Sequence, residues 1–142
     1  QVITLNDYIG SHKDIPTKEE AEQAVILLQR VNALLVACGF KTTVASGWRP
    51  RAYNEAQRAL WQATGGKEGA NTAVNSKHIT MQAIDLRDNE YQQIAKYLNE
   101  NRQILAEHKL WMEHPASTKG RYTNWTHLQS VPPKSGSLVF YP

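Results

Sequence analysis

Cysteine is almost absent from this chain. The single residue Cys38 excludes an internal disulfide and a zinc site built from several thiolates. Its setting in LLVACGF is typical of a buried helix end, which favours a packing role over that of a catalytic thiol. Metal binding or catalysis must therefore use other side chains.

The chain also lacks a strong charge of one sign and a long apolar run. Its 16 Lys and Arg residues against 13 Asp and Glu residues give a formal charge of +3, and the basic residues are scattered. This pattern argues against a nucleic-acid partner but suits an anionic bacterial cell wall. No apolar run has the length expected of a membrane span, and QVITLNDYIG at the start lacks the layout of a signal peptide.

The size of the chain limits its organisation. At 142 residues and 41% hydrophobic composition, it can bury one core but is short for two. The sequence contains no internal repeat, low-complexity stretch or linker. We therefore expect residues 1–142 to form a single, monomeric domain.

The first half of the sequence predicts two helices and a strand. Residues 18–38 follow a capping box formed by Thr17 and Glu20 and precede Gly39, which predicts a core helix. FKTTVASGWRP has a strand-like composition, and a second helix is predicted over about residues 52–64. GGKEGANTAVN then predicts a loop.

The second half predicts three strands and a helix. In SKHITMQAIDLRD, Ala83, Asp85 and Arg87 alternate with Ile84 and Leu86, and this period of two predicts a strand that carries Asp85. Residues 89–108 return to a helical period, and LWMEH and NWTHLQ predict two short strands. SVPPKSGSLVFYP predicts a loop with a short strand or a packed tail. The element order indicates an α+β domain with a small antiparallel sheet flanked by helices.

Two histidines and one aspartate form a candidate zinc site. If the strands of Asp85 and His127 pair, both side chains point to one face and meet His78 on its loop. Two imidazoles and a carboxylate suit a catalytic zinc ion, which typically has three protein ligands and one open position. On spacing alone, ordinary surface or core histidines are the more common explanation.

A motif resemblance adds to this interpretation. Ser76, His78, Ala83 and Asp85 in SKHITMQAID match the Ser-x-His-x4-Ala-x-Asp signature of the zinc D-Ala-D-Ala carboxypeptidase family. That family includes phage endolysins and shares its fold with Hedgehog signalling domains. SGWRP resembles the family's Ser-Gly-Tyr-Arg-Ser segment, and NWTHLQ resembles its last histidine strand. The segments come in the family order and span about residues 46–129.

The resemblance implies a role for each matched residue. His78, Asp85 and His127 would bind one zinc ion, and Arg49 would bind the substrate carbonyl or the developing oxyanion. Ser76 would bind substrate or shape the turn before His78. The implied fold is a compact Hedgehog/DD-peptidase-like domain, and the implied partner is bacterial peptidoglycan, so the protein would act at the cell wall.

The general base departs from the family pattern. Many members carry Glu or Asp three positions before the final histidine, where this chain has Asn124, and an amide cannot take a proton from water at neutral pH. Three explanations remain open: a base from elsewhere, an inactive zinc-binding relative, or an engineered substitution.

Glu113 is the best substitute base in this sequence. If LWMEH pairs beside NWTHLQ, Glu113 stands on the metal face together with Trp111. The alternative for Glu113 is a solvated carboxylate at a strand edge. His114, if the strand is bulged, and Asp88 are the other candidates for the base.

The tryptophans have two interpretations. Trp48 and Trp125 either form the walls of a groove that binds an extended peptide or pack in the core. Trp61 is interpreted as a core residue, and Trp111 suits either role.

Three functional hypotheses follow. The first is a zinc-dependent peptidase that hydrolyses peptidoglycan stem or cross-bridge peptides, of phage or bacterial origin. The second is a catalytically silent zinc-containing module that binds a wall peptide or a protein partner. The third is a globular domain whose histidines bind no metal. Zinc content separates the third from the others, and hydrolysis separates the first two.

Overall fold

The computed structural model describes residues 2–142 and confirms the α+β class. Within that range the helices are α1 (Leu5–Ile9), α2 (Lys18–Cys38), α3 (Arg51–Ala63), α4 (Gln93–Glu100) and α5 (Arg102–Glu107). The strands are β1 (Val44–Ser46), β2 (Ala83–Asp88), β3 (Trp111–Glu113), β4 (Asn124–Gln129) and β5 (Val139–Phe140). A short 3-10 helix, Pro115–Ser117, follows β3. The predicted positions of α2 and α3 are correct to within about one residue.

The strands form one mixed sheet in the order β1-β2-β4-β3-β5. The first three pairings are antiparallel, as predicted, but β5 runs parallel to β3. The expectation of a wholly antiparallel sheet is therefore wrong at this edge. Both edges of β4 are occupied by β2 and β3, so the chain that leaves β4 reverses and joins the free edge of β3 in the direction of β3.

The helix α2 supplies the largest apolar face. The predicted capping box of Thr17 and Glu20 is present, and Gly39 ends the helix with a φ of 72°. The buried residues of α2 are Ala24, Leu27, Leu28, Val31, Leu34 and Leu35. By length and composition alone this helix could cross a membrane, with a mean hydropathy of 1.3. This finding corrects the expectation that no segment has the length and apolar composition of a membrane span. Core helices of globular proteins can have the same length and composition.

Two helices occupy the segment predicted as one helix over residues 89–108. The carboxylate of Asp88 accepts hydrogen bonds from the backbone N–H groups of Ile94 and Ala95, both at 3.0 Å, and thereby caps the first turn of α4. Asn101 breaks the helix because its φ of −129° and ψ of 55° are not helical. The prediction of one long helix is therefore wrong, because the helix begins later than predicted and is interrupted at Asn101.

The sequence analysis does not predict α1. Thr4 and Asp7 form a capping box at its start, but five residues are too few to establish a helical period. Tertiary contact holds it in place, because Tyr8 is buried and its hydroxyl donates to the carbonyl oxygen of Ala83 at 2.7 Å.

The hydrophobic core lies on one face of the sheet. One cluster extends from Ile3 to Val139 and includes Ile84, Leu86 and Leu128 of β2 and β4. Because side chains alternate along a strand, Asp85 and His127 point to the opposite face. That second face carries the polar groups described next.

Candidate metal centre

Three side chains that the sequence singles out come together on this second face. Asp85 and His127 are directly opposite each other in the register of β2 and β4, which confirms the predicted pairing. His78 reaches them from the loop before β2. The possible ligand atoms of all three residues lie within 4.8 Å of one another, and their exposed fractions are 3% for His78, 6% for Asp85 and 7% for His127. The group could therefore hold a metal ion.

The distances within the cluster suit a tetrahedral ion. Nε2 of His78 lies 3.3 Å from Oδ2 of Asp85, and Nδ1 of His127 lies 2.8 Å from Oδ1 of Asp85. Two ligands bound to zinc at about 2.0–2.1 Å with tetrahedral angles are themselves about 3.3 Å apart. Small side-chain movements would therefore bring the donor atoms of these residues to the spacing that a bound ion requires.

Each imidazole uses its outer nitrogen for a hydrogen bond away from the cluster. Nδ1 of His78 lies 2.7 Å from the carbonyl oxygen of Gly47, which can only accept, so this nitrogen carries the proton. Nε2 of His127 lies 2.9 Å from Oε1 of Gln129. The amide nitrogen of Gln129 donates to the carbonyl oxygen of Val131 at 2.9 Å, which fixes the orientation of the amide. Both rings are therefore held in one tautomer when neutral.

The inward-facing atoms require a cation. In the neutral tautomers, Nε2 of His78 and Nδ1 of His127 present lone pairs to the carboxylate of Asp85, and this contact is repulsive unless a proton or a metal ion lies between them. Outer hydrogen bonds of this kind are also what orients histidines in metal sites. The donor set of two imidazoles and one carboxylate thus fits a divalent metal.

Burial and mutual charge shift the pKa values of the three groups. Burial opposes ionisation of Asp85, but the adjacent His78 and His127 outweigh it and hold the pKa of Asp85 well below its usual range. Burial lowers the pKa of His78. Burial acts in the same direction on His127, but its hydrogen bond to Asp85 outweighs the burial and raises the pKa of His127. Asp85 is therefore held as a carboxylate, the form that binds a metal.

The loop of His78 is tied to the segment after β1. The backbone N–H of Arg49 donates to the carbonyl oxygen of His78, and the backbone N–H of His78 donates to Oγ of Ser76, both at 3.2 Å. Gly47 is needed at this crossing because a Cβ there would collide with the carbonyl oxygen of Tyr8. Ser76 thus shapes the turn before His78, which is one of its two predicted roles; substrate binding by Ser76 stays a prediction.

Arg49 lies against the cluster. Its Nη2 donates to Oδ2 of Asp85 at 3.3 Å, and its Nε donates to Oγ of Ser46 at 3.0 Å. Ser46 is itself paired with Asp85 across β1 and β2. The guanidinium is therefore fixed on two sides beside the candidate ligands, with 22% of the side chain exposed.

Glu113 also lies beside the cluster. Its Oε1 is 3.8 Å from Nδ1 of His127, and 19% of its side chain is exposed, so it is not a fully solvated carboxylate. Burial raises the pKa of Glu113. The position follows from the predicted pairing of β3 beside β4, in which Trp111 lies opposite Gln129.

Asn124 has a structural role. Its Oδ1 accepts from the backbone N–H of Gly120 at 3.2 Å, and its Nδ2 donates to the carbonyl oxygens of Asn89 and Glu90 at 3.1 and 3.3 Å. The amide thereby joins the start of β4 to two loops. Both ends of the side chain are engaged by backbone groups.

The two other candidate bases are engaged away from the cluster. Nδ1 of His114 accepts from the backbone N–H of Ala116 at 3.0 Å, and the ring stacks on Tyr141 with centroids 4.6 Å apart. Asp88 caps α4 and also accepts from Oγ1 of Thr126 at 3.0 Å. Of the carboxylates considered as base, Glu113 is the one within 4 Å of a candidate ligand.

The tryptophans divide between core and groove. Trp48 is 4% exposed and its Nε1 donates to the carbonyl oxygen of Ile79 at 3.0 Å, so its burial supports the core role rather than the predicted groove wall. Trp125 is half-buried and lines a cavity of about 450 Å³ that also borders Arg49 and Asp85. The predicted groove role therefore suits Trp125.

Two supporting residues were missed from the sequence. Gln129 shares the face of β4 with His127 through the period of two, which was a usable signal for a partner of the imidazole. Gly47 lies within SGWRP, but nothing in the sequence predicts that its carbonyl oxygen contacts His78.

Comparisons with protein-family models, curated proteins and solved structures found no match to this chain. The resemblance to zinc D-Ala-D-Ala carboxypeptidases therefore stays a prediction from short motifs. The structural result is a buried site that could hold a metal ion.

Proposed function

We propose that this chain is a zinc-dependent peptidase of the Hedgehog/DD-peptidase type that hydrolyses stem or cross-bridge peptides of bacterial peptidoglycan. The observation that carries the proposal is the buried cluster of His78, Asp85 and His127, in which one nitrogen of each ring faces the carboxylate and the other is held by an outer hydrogen bond. Nitrogen and carboxylate donors in this number are typical of catalytic zinc. The motif order and the mildly basic charge support a cell-wall substrate.

The three ligands leave room for catalysis. His78, Asp85 and His127 would hold the ion and leave a fourth position open. When bound, zinc supplies a Lewis acid that polarises a carbonyl group and lowers the pKa of water to about 7. A cavity of about 450 Å³ borders Asp85 and Arg49, and a substrate would approach the ion from this side.

Arg49 would stabilise the negative charge that develops on the substrate. Its guanidinium is always charged and is held by Ser46 and Asp85, so it needs little reorganisation during the reaction. A fixed cation of this kind stabilises a tetrahedral transition state more than the neutral carbonyl of the substrate. We therefore assign the carbonyl oxygen of the scissile bond to Arg49.

Glu113 would move the proton. It is the carboxylate next to His127, and its burial raises its pKa towards the range useful for a general base. A carboxylate at this position would take a proton from the attacking water and deliver it to the leaving amine. The amide of Asn124 has no part in this step.

Asn124 also favours a second candidate, a catalytically silent zinc-containing module. In that case the cluster would bind zinc, and the groove would hold a wall peptide or a protein partner without cleaving it. Both ends of the Asn124 amide are engaged by backbone groups, as expected for a residue with a structural rather than a catalytic role.

The test is the release of peptide or free D-alanine from purified peptidoglycan. The zinc-loaded protein, a chelated sample and Glu113→Gln would be compared, with metal content measured on every sample. We expect chelator-sensitive release, and we expect Glu113→Gln to lose activity by about 100-fold or more while it keeps zinc. Glu100→Gln, on the exposed surface of α4, is the matched control.

Each outcome separates the candidates. Bound zinc without release by the wild type would favour the binding module. Release by the wild type together with full activity of Glu113→Gln would reject Glu113 as the base but keep the peptidase. Absence of bound zinc would reject both candidates.

A further inference from the structure

The cavity beside the metal centre is lined by an arginine that the proposed reaction does not use, Arg87. β1 and β2 form one side of the cavity, and the segment from Thr123 to Trp125 forms the other. Arg87 of β2 lines it together with Arg49 and is exposed. Two cations therefore border a cavity of about 450 Å³.

The two acidic residues that line this cavity already have partners within the protein. Asp85 faces His78 and His127 in the metal centre. Asp88 accepts four hydrogen bonds: Oδ1 from the backbone N–H groups of Asn89 and Ile94, and Oδ2 from the backbone N–H of Ala95 and the hydroxyl of Thr126. Asp85 also forms an ion pair with Arg49, whereas no salt bridge to Arg87 is found within residues 2–142, so Arg87 is the cation of this cavity that has no ion-pair partner.

Arg87 is held in place but retains free donors. Its Nη1 donates to Oγ1 of Thr43 at 2.9 Å and also to the carbonyl oxygen of Val44. Across residues 2–142, no hydrogen bond is made by its Nε or Nη2. These two nitrogens form one edge of the guanidinium, and such an edge binds a carboxylate through two parallel hydrogen bonds.

The strand sets the distance between Arg87 and the metal centre. Arg87 and Asp85 are two residues apart on the same face of β2, so their Cα atoms are about 7 Å apart. An extended peptide covers this distance in about two residues. A group bound at Arg87 is therefore one or two residues from the bond held at the metal centre.

We propose that Arg87 is a specificity-determining residue that binds a carboxylate of the substrate, one or two residues from the scissile bond. This inference rests on the proposed peptidase function and adds the substrate class, an anionic peptide. In a peptidoglycan stem peptide the carboxylate has two sources: the C-terminus, and the free α-carboxyl group of the γ-linked D-glutamate. Both offer the same chemistry to a guanidinium.

The test compares three forms of the stem pentapeptide L-Ala-γ-D-Glu-L-Lys-D-Ala-D-Ala. One form has both carboxylates, one has a C-terminal amide, and one has an amide at the α-carboxyl of the glutamate. Each is titrated calorimetrically into the zinc-loaded wild type, Arg87→Gln and Arg51→Gln, where Arg51 is an exposed arginine of α3 outside the cavity. The recovered peptide is analysed, and KM replaces Kd wherever the peptide has been cleaved.

We expect the wild type to bind the doubly anionic form about tenfold or more tightly than one of the two amides, and that amide identifies the source. Arg87→Gln should abolish this difference, and Arg51→Gln should keep it. Equal binding of all three peptides by the wild type would overturn the proposal, and so would a preference that survives in Arg87→Gln. If the wild type prefers the doubly anionic peptide but cleaves none of the three, the Arg87 site stands and the peptidase is rejected. If it cleaves the peptides without preferring the doubly anionic form, the peptidase stands and the Arg87 site is rejected.

Discussion

β4 places a candidate metal ligand and a core residue side by side, and the two are buried for different reasons. His127 and Leu128 are 7% and 0% exposed. Leu128 packs among apolar side chains, so its burial stabilises the fold directly. His127 loses hydration when buried, and this cost is offset only when both ring nitrogens have partners, here Asp85 and Gln129. Burial of the apolar face therefore stabilises the fold directly, whereas the polar face needs a proton or a metal ion between His127 and Asp85.

Removal of a ligand should give the largest effect on the metal face. His78→Ala should weaken zinc binding by about 1,000-fold, or about 4 kcal/mol, because one of three donors is lost. Competition with a chromophoric chelator measures this. His108→Ala is the control, since its Nδ1 contacts only the carbonyl oxygen of Ile104 in its own helix end. Equal zinc affinity in the two variants would remove His78 from the site.

A substitution that creates a cavity in the hydrophobic core should lower stability and leave zinc affinity nearly unchanged. Leu128→Ala should lower the free energy of unfolding by about 3 kcal/mol, because it removes fully buried methyl groups beside Ile84. Urea denaturation in the presence of chelator measures the change. The zinc dissociation constant of the folded variant should stay within about tenfold of the wild type. A larger change in zinc affinity than in stability would mean that the two faces are not separable.

Loss of the hydrogen bond between Gln129 and His127 should have an intermediate effect on zinc affinity. Gln129→Ala removes the acceptor for Nε2 of His127 and should weaken zinc binding by about 10–100-fold. Gln129→Glu keeps an acceptor at that position and should recover most of the affinity. Zinc titration of both variants tests this order. If Gln129→Ala binds zinc as tightly as the wild type, Gln129 does not orient the ligand.

The smallest effect is expected at the α1 anchor. Tyr8→Phe removes the hydrogen bond to the carbonyl oxygen of Ala83 and should lower the free energy of unfolding by about 1 kcal/mol. Zinc affinity should change by less than about threefold because the ring and its packing remain. Thermal unfolding and zinc titration of the same sample provide the two values. A loss of zinc affinity without a loss of stability would contradict this assignment.

The sequence predicts local features of the fold better than its long-range ones. The capping box at Thr17 and the strand that carries Asp85 are encoded by neighbouring residues, and both predictions are confirmed. The parallel pairing of β5 depends on which sheet edge is free, and the break at Asn101 is a change of backbone angles that the helical period does not reveal. Neither property is contained in a short segment.

The candidate site shows the same division. His78, Asp85 and His127 could be selected from their motif and strand positions, and the structure brings them together. Gly47 could not be selected, because its role comes from the close approach of Tyr8 and from a carbonyl contact to His78. Trp48 was ambiguous because burial of an aromatic ring is decided by tertiary packing.

We propose that His78, Asp85 and His127 bind one zinc ion. X-ray absorption at the zinc edge, on protein loaded with one equivalent of zinc, tests it most directly. A zinc ion bound by these residues should give a four-coordinate shell of nitrogen and oxygen at about 2.0–2.1 Å, with the outer-shell scattering of two imidazoles. Failure to retain one equivalent of zinc, or a shell without imidazole scattering, would contradict it.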